Sequence, residues 1–511
     1  MDSLTNSPSW NYATCIPSEV LEYLSRKHPS IQILNFVTDP FCSRFNRWNR
    51  TTDMNLSAFN NIRRFSWKAP MGCHFDNIAN LVRTNADILE ELEVDLQSWS
   101  RQWEDREMRV VKKKADPEEW EEWDKIPAST MLAREMFGLD FDSVEQTSFP
   151  KMQALRLSRV PLRDETTGKA LTTASINMGG LRSLILRMCP HWVLLLQDMV
   201  RSTSPIEVKS FEILDFYLKT PPVTAVKKAT AIADFLDSFT GLEELFISHC
   251  GPIPALKFWD HLKGHASTLK MFVHHQRTTD HDDELLTSRM GRDSSYLTIP
   301  RDERDRVRED PTLNPLSRLN LEFIGLTCEP KYLRDILLPF TSKNSLKCLH
   351  IRQTAVNAAT SPSWVFNKAL EIRIIEAEQK GRPINDTTRS DNSLDFQSKQ
   401  DIAEGLEDIL VAMKERREWK TPPLKRSFRH FVDWAFGPTG IASLEYIVAG
   451  DLSHRSRYSE SNALICRSVG GGMRYRVIKQ QNAGEEWRDV KSRFGMALEA
   501  CPVENTVPEY H

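Results

Sequence analysis

The sequence has no long apolar run. Its longest uninterrupted apolar stretch, residues 192–196, is five residues. A membrane-spanning helix needs about eighteen, so no such helix is expected. Residues 1–11 lack the basic start and apolar core of a secretory leader. No CxxC pair occurs. The nine cysteines are odd in number and scattered from Cys15 to Cys501, which reads as reduced thiols in a cytoplasmic or nuclear protein rather than a disulfide framework. Neither sign of charge dominates: 67 Lys+Arg stand against 70 Asp+Glu, a net −3. That balance excludes a global footprint for nucleic acid or for an acidic membrane surface. The three glycines at 470–472 are followed by no Lys-Ser/Thr that would reach a phosphate. No GxSxG nucleophile elbow is present either. No cofactor is expected. Aromatics, by contrast, are plentiful: with 24 Phe, 13 Trp and 9 Tyr, the chain is not wholly disordered.

What the sequence does have is a repeat. An apolar residue, two others, an apolar residue, one other and an apolar residue recur as Ile31/Leu34/Phe36, Ile62/Phe65/Trp67, Leu89/Leu92/Val94, Met152/Leu155/Leu157 and Leu181/Leu184/Leu186. The pattern continues as Phe211/Leu214/Phe216, Leu242/Leu245/Ile247, Leu269/Phe272/His274, Leu316/Leu319/Leu321, Leu346/Leu349/Ile351 and Leu444/Ile447/Ala449. Three fixed apolar positions arise by chance on the order of twenty times in such a length, so the spacing carries the weight. Seven of the ten intervals between first positions lie between 27 and 31 residues. Helical patterns fill the gaps. Ile253, Leu256, Trp259 and Leu262 are spaced at three. Val226, Ala229, Ile232, Phe235 and Leu236 form a stripe. Tyr332, Leu333, Ile336 and Leu337 share a face after Pro330. Each unit is thus a short strand, a turn and a helix, and stacked copies give a parallel sheet on one face with helices on the other.

A strand of this form with a period in the high twenties resembles long, helix-containing leucine-rich repeats. The aromatic, degenerate copies and the charged insertions are similar to the repeat region of fungal F-box/leucine-rich-repeat proteins, over residues 16–360 and again near 444. The family's Asn or Cys after the last leucine is matched only by Cys189 and Cys250, so the likeness is to an irregular branch. Residues 16–21, IPSEVL, resemble the opening of an F-box. The first strand begins at Ile31, however, too soon for the module's other helices. Residues 18–27 are therefore read as the helix of a first, incomplete repeat.

The expected architecture is an α/β leucine-rich-repeat solenoid, with the parallel sheet concave and the helices convex. Residues 1–360 hold the array, interrupted by charged insertions at 99–147 and 276–312. Residues 361–440 form a long insertion with an amphipathic helix (Ile402, Leu406, Ile409, Leu410, Met413), preceded by a polar stretch, 381–399, expected to be disordered. Residues 441–511 hold the last repeat and a cap, with a strand at 475–478 and a helix from Glu485 to about Leu498.

If the apolar triplet points inward, alternate residues of each strand face the hollow. That reasoning places Ile185, Arg187, Ile213, Asp215, Tyr217, Glu244, Phe246, Met271 and Val273 on the concave face. An apolar patch rimmed with charge marks a protein-binding site, unless part of the same chain folds over it. His274, His275 and His281 with Asp280, Asp282 and Asp283 have the chemistry of a metal cluster but no helix-borne i,i+4 pair, and read as the start of a solvated loop. Residues 109–114 read as a solvated charge run, with nuclear targeting the sharper alternative. The resemblance implies a non-catalytic substrate-recognition component of a cullin-type ubiquitin ligase, or a relic of one, with a ligase adaptor as partner if an F-box precedes the repeats. The alternatives are a repeat scaffold unrelated to ubiquitin and, most remotely, a metal-dependent enzyme on the His–Asp tract. Partners are expected to be proteins, not nucleic acid or membrane.

Overall fold

A computed structural model of the chain describes residues 9–10, 16, 18–38, 56–70, 75–96, 148–162, 176–215, 222–250, 254–277, 297, 299–353, 364–366, 424–452, 462–468, 474–479 and 484–502. Fourteen strands hydrogen-bond in chain order. They are β1 (Ser9–Trp10), β2 (Ile33–Val37), β3 (Arg64–Lys68), β4 (Glu91–Asp95), β5 (Ala154–Ser158), β6 (Ser183–Arg187) and β7 (Ser210–Leu214), then β8 (Glu244–Cys250), β9 (Met271–Arg277), β10 (Phe323–Leu326), β11 (Cys348–Ile351), β12 (Tyr446–Ala449), β13 (Ala463–Arg467) and β14 (Tyr475–Lys479). The helices are α1 (Ser18–Lys27), α2 (Phe75–Thr84), α3 (Trp192–Arg201), α4 (Pro222–Asp237), α5 (Ala255–Trp259), α6 (Arg301–Glu309), α7 (Pro330–Leu337), α8 (Arg426–Ala435) and α9 (Glu485–Glu499). No helix among the described residues is long and apolar enough to cross a membrane. The chain forms two compact units, the first built mainly from residues up to Phe216 and Val226–Leu245, the second mainly from Phe246–Glu504.

In the first unit β1 to β7 pair in parallel. Each strand is entered the same way. The carbonyls of Gln32, Arg63, Glu90, Gln153, Arg182 and Lys209 each accept two consecutive N–H groups from the next copy. These acceptors mark the true period, in steps of 31, 27, 63, 29 and 27 residues. The inward rows are Leu34, Phe65, Leu92, Leu155, Leu184 and Phe211, then Phe36, Trp67, Val94, Leu157, Leu186 and Ile213. All are 2% exposed or less, and each such side chain contributes about 1.5–3 kcal/mol by leaving water. Edge-to-face rings, with Phe36 and Trp67 at 5.1 Å, fill this core at β2 and β3. The Trp67 indole N–H donates to the Thr38 hydroxyl at 2.9 Å. Buried Asn85 ties a strand entry to the preceding turn and helix end: its Oδ1 accepts from Ile62 N, and its Nδ2 donates to the carbonyls of Phe59 and Leu81, all at 2.8 Å.

In the second unit β9 to β12 are parallel, then β12–β13–β14 turn antiparallel. Lys270, Glu322 and Lys347 repeat the double-acceptor entry. Asn314 repeats the Asn85 device, accepting from Leu316 N and donating to the Ile336 carbonyl. Pro330 stands in the first turn of α7 as expected. The stripe predicted from Ile253 to Leu262 is shorter: α5 ends at Trp259 and a 3-10 helix covers Asp260–His265. The helix read at 402–413 lies outside the described residues, as do residues 99–147 and 381–399.

Two copies of the repeat are phased differently from the sequence reading. At β7, Phe211 pairs with Leu184 and Ile213 with Leu186, so the apolar triplet is Val208/Phe211/Ile213. At β10, Ile324 pairs with Phe272 and Leu326 with His274, so it is Leu321/Ile324/Leu326. Leu214 in β7 and Phe323 in β10 put an apolar residue on the outward face as well, so apolar character alone does not declare the register.

Candidate functional site

The outward side of the first unit is mostly polar. Its middle row, from β2 to β7, is Asn35, Ser66, Glu93, Arg156, Ile185 and Glu212. The rows beside it hold Arg64 and Glu91, and Lys68, Asp95 and Arg187, with Ile33, Ala154, Val37 and Leu214 as their apolar members. Strand alternation brings these charges to one plane at neighbouring positions, where they pair: Arg64–Glu91 at 3.3 Å, Lys68–Glu93 at 3.0 Å, and Arg156 within 4.0 Å of Glu91. The Ser66 hydroxyl also donates to Glu93 at 2.7 Å. Burial would raise the Glu93 carboxyl, but Lys68, Ser66 and Arg156 outweigh it and hold it below the usual range. Asp95 goes the other way: burial pushes it up, and Arg159, at 3.4 Å, only partly offsets this. Arg187 grips Glu212 with two bonds, 2.6 and 2.9 Å. Arg64 remains 52% exposed and Arg156 39%.

The outward side of the second unit is apolar and covered. One row runs Met271, Phe323, Cys348, Tyr446, Cys466 and Arg476; the next runs Val273, Gly325, His350, Val448, Leu464 and Ile478. Helix α9 packs against β9 and β10, with the Phe494 ring 5.6 Å from that of Phe323. Its buried residues are Trp487, Val490, Phe494, Ala497 and Leu498. Polar pairs rim the contact. The Tyr446 hydroxyl donates to Asp489 at 2.8 Å, Arg493 reaches Glu445 at 2.6 Å, and Arg476 meets Glu486 at 3.0 Å. At the far end of α9 the buried Arg352 guanidinium donates to the carbonyls of Ala500, at 2.7 Å, and Cys501, at 3.2 Å.

The predicted concave patch is therefore not one exposed surface. Ile185 and Arg187 face outward, half-buried. Ile213 belongs to the core, because β7 is rephased. Asp215, just past β7, is 2% exposed; it accepts from Lys228 of α4 at 2.8 Å and from the Trp192 indole at 3.2 Å, so it braces two helices. Tyr217 lies outside the described residues. Glu244 and Met271 are half-buried, while Phe246 (3%) and Val273 (0%) are buried. The helix read at 485–498 is present, as Glu485–Glu499, and it lies across the outward side of β9 and β10. The signal for that was its own spacing: Trp487, Val490, Phe494, Ala497 and Leu498 form a stripe that needs a broad apolar partner.

His274 and His275 do not open a loop; both are fully buried on β9. The Trp259 indole donates to His274 Nδ1 at 2.8 Å. His274 therefore carries its proton on Nε2 and gives it to His249 Nε2, also at 2.8 Å. Burial, reinforced by His249, holds His274 well below the usual imidazole range. His281 and the three aspartates lie outside the described residues, and among those described no group of three potential ligands could hold a metal. Burial pushes the Cys189 and Cys466 thiols up to about 12 and Cys348 well above its ordinary value, so all three stay protonated and are poor nucleophiles. No family model, curated protein or solved structure matches this chain.

Proposed function

We propose that the chain is a leucine-rich-repeat array acting as a non-catalytic protein-binding module, and that the outward face of β3–β5 is its binding face. The observation that carries this reading is the lattice of paired, partly exposed charges there: Arg64, Lys68, Glu91, Glu93 and Arg156. These side chains stand on strands and are held by one another, so a partner orders little on docking. Fixed charges of both signs set register and reject mismatched surfaces. The partner is a folded protein presenting the complementary charge pattern. The most specific form of this reading is substrate recognition for a cullin-type ubiquitin ligase, or descent from such a component, in the cytoplasm or nucleus.

The test is affinity purification of the full chain with mass spectrometry, beside a variant carrying Arg64→Glu and Arg156→Glu. The binding-face reading predicts a folded variant that loses the captured protein. Equal capture by both would remove the face from consideration. Absence of adaptor and cullin subunits from the wild-type eluate would sink the ligase reading and leave the binding module standing.

A further inference from the structure

Helix α9 covers the outward side of β9–β12 in the way a ligand would. Among the described residues no backbone–backbone hydrogen bond joins α9 itself, Glu485–Glu499, to a strand. The contact consists of the apolar stripe, the polar rim and the Arg352 bonds to the two carbonyls at the helix's end. The helix could therefore leave without breaking a single rung of the sheet. Its docking is also imperfect. The Trp487 indole N–H is buried with no acceptor, a loss of about 1–3 kcal/mol against a solvated indole.

We propose that this outward face is a helix-binding surface which the chain fills with its own α9, and that a partner's amphipathic helix exchanges for it. The face defines the occupant. It takes an apolar stripe with aromatics seven residues apart, as Trp487 and Phe494 are. It also takes acidic residues in the first turns, to meet Arg476 and the Tyr446 hydroxyl, and free carbonyls at the helix end for Arg352. Arg352 acts as the latch, because a guanidinium on the carbonyl end of a helix favours the docked state through both hydrogen bonds and the helix dipole. This surface is separate from the charged face of β3–β5, so either proposal can fail alone.

The thiols beneath the helix report its departure. Cys348 and Cys466 lie in the covered row, at 0% and 3% exposure. Cys328 of the same unit and Cys189 of the other are equally buried but outside it. Full-length protein is treated with a maleimide under native conditions, and each cysteine is followed by mass spectrometry. Cys348 and Cys466 are expected to react at least tenfold faster than Cys328 and Cys189. Arg352→Met should speed the two covered thiols roughly tenfold more while leaving Cys189 unchanged. A synthetic peptide of residues 484–502 should bind this variant saturably and restore protection, and the same peptide with Phe494→Asp should not. Should Arg352→Met fail to fold, Arg493→Ala, which loosens only the exposed rim, takes its place with a smaller acceleration. One common rate for all four thiols in the wild-type protein would mean that the face opens only by global unfolding, and would overturn the proposal. Failure of the peptide to bind a folded variant would do the same.

Discussion

The two units use the same strand entry and the same inward packing, yet their outward sides differ in the balance of charge and apolar surface. In the first, residues such as Arg64, Glu91, Glu93 and Arg156 neutralise one another and still meet water. In the second, Phe323, Cys348, His350, Val448 and Leu464 stand at equivalent places and have none of that capacity. A sheet that is apolar on both sides must be covered on both, so the second unit recruits α9. The inward triplet makes the strand, whereas the residues between its apolar positions decide whether the other side becomes a surface or a second core.

Phe494→Asp attacks the cover directly. It removes the ring beside Phe323 and sets a carboxylate in an apolar layer. The expected loss is about 4 kcal/mol or more, read by urea unfolding, with hydrogen exchange rising first in β9–β12. A loss under 1 kcal/mol would mean that the outward side of the second unit tolerates water after all.

Acid should separate the units next. His350 donates from Nε2 to the Gly450 carbonyl at 2.9 Å. Burial, helped by the charge of Arg352, pushes it down to about 3. Its folded value is depressed, so the unfolded chain binds the extra proton, and stability falls as pH drops from about 6.5 toward 3. Between pH 7 and 5 this one group costs about 2 kcal/mol, and His274 acts in the same direction. In the first unit Glu93 is depressed too, but a carboxylate loses its contribution only as pH falls through its own, lower, folded value. Urea unfolding at pH 7 and pH 5, followed by hydrogen exchange on β11 and β4, should show the second unit weakening first. His350→Gln should flatten that dependence.

Arg187→Ala leaves the Glu212 carboxylate, 3% exposed, without its two bonds. A loss of about 2 kcal/mol is expected in urea unfolding. The double variant Arg187→Met, Glu212→Leu should recover most of it. Smallest of all, Arg64→Ala breaks an exposed pair and should shift stability by no more than about 0.5 kcal/mol, whatever it does to partner capture.

Much of this fold was legible. Period and triplet located the strands, because each inward residue must be apolar wherever its neighbours are stacked on it. The charges of β3–β5 alternate with apolar residues in the same way, but the face expected from the sequence lay further along, from Ile185 to Val273, where apolar residues between the triplets mimic an exposed patch. The register is ambiguous at Phe211 and Leu316, where Val208 and Ile324 offer a second apolar register and an even spacing near thirty favours the wrong one. Phe246 and Val273 read as exposed from alternation alone but are buried, and nothing local to Val273 on β9 reveals a cover that arrives from α9, more than two hundred residues later.

That separation has a consequence for the newborn chain. Arg352 meets its helix 148 residues further on. At about 5–20 residues per second of synthesis, Phe323 and Cys348 spend on the order of ten seconds bare after they emerge, and Val448 a few seconds. The first unit, whose strands close onto the next copy, has no such interval. A ribosome-bound chain stalled before residue 485 should therefore recruit chaperones through β9–β12, and one stalled before residue 250 should not.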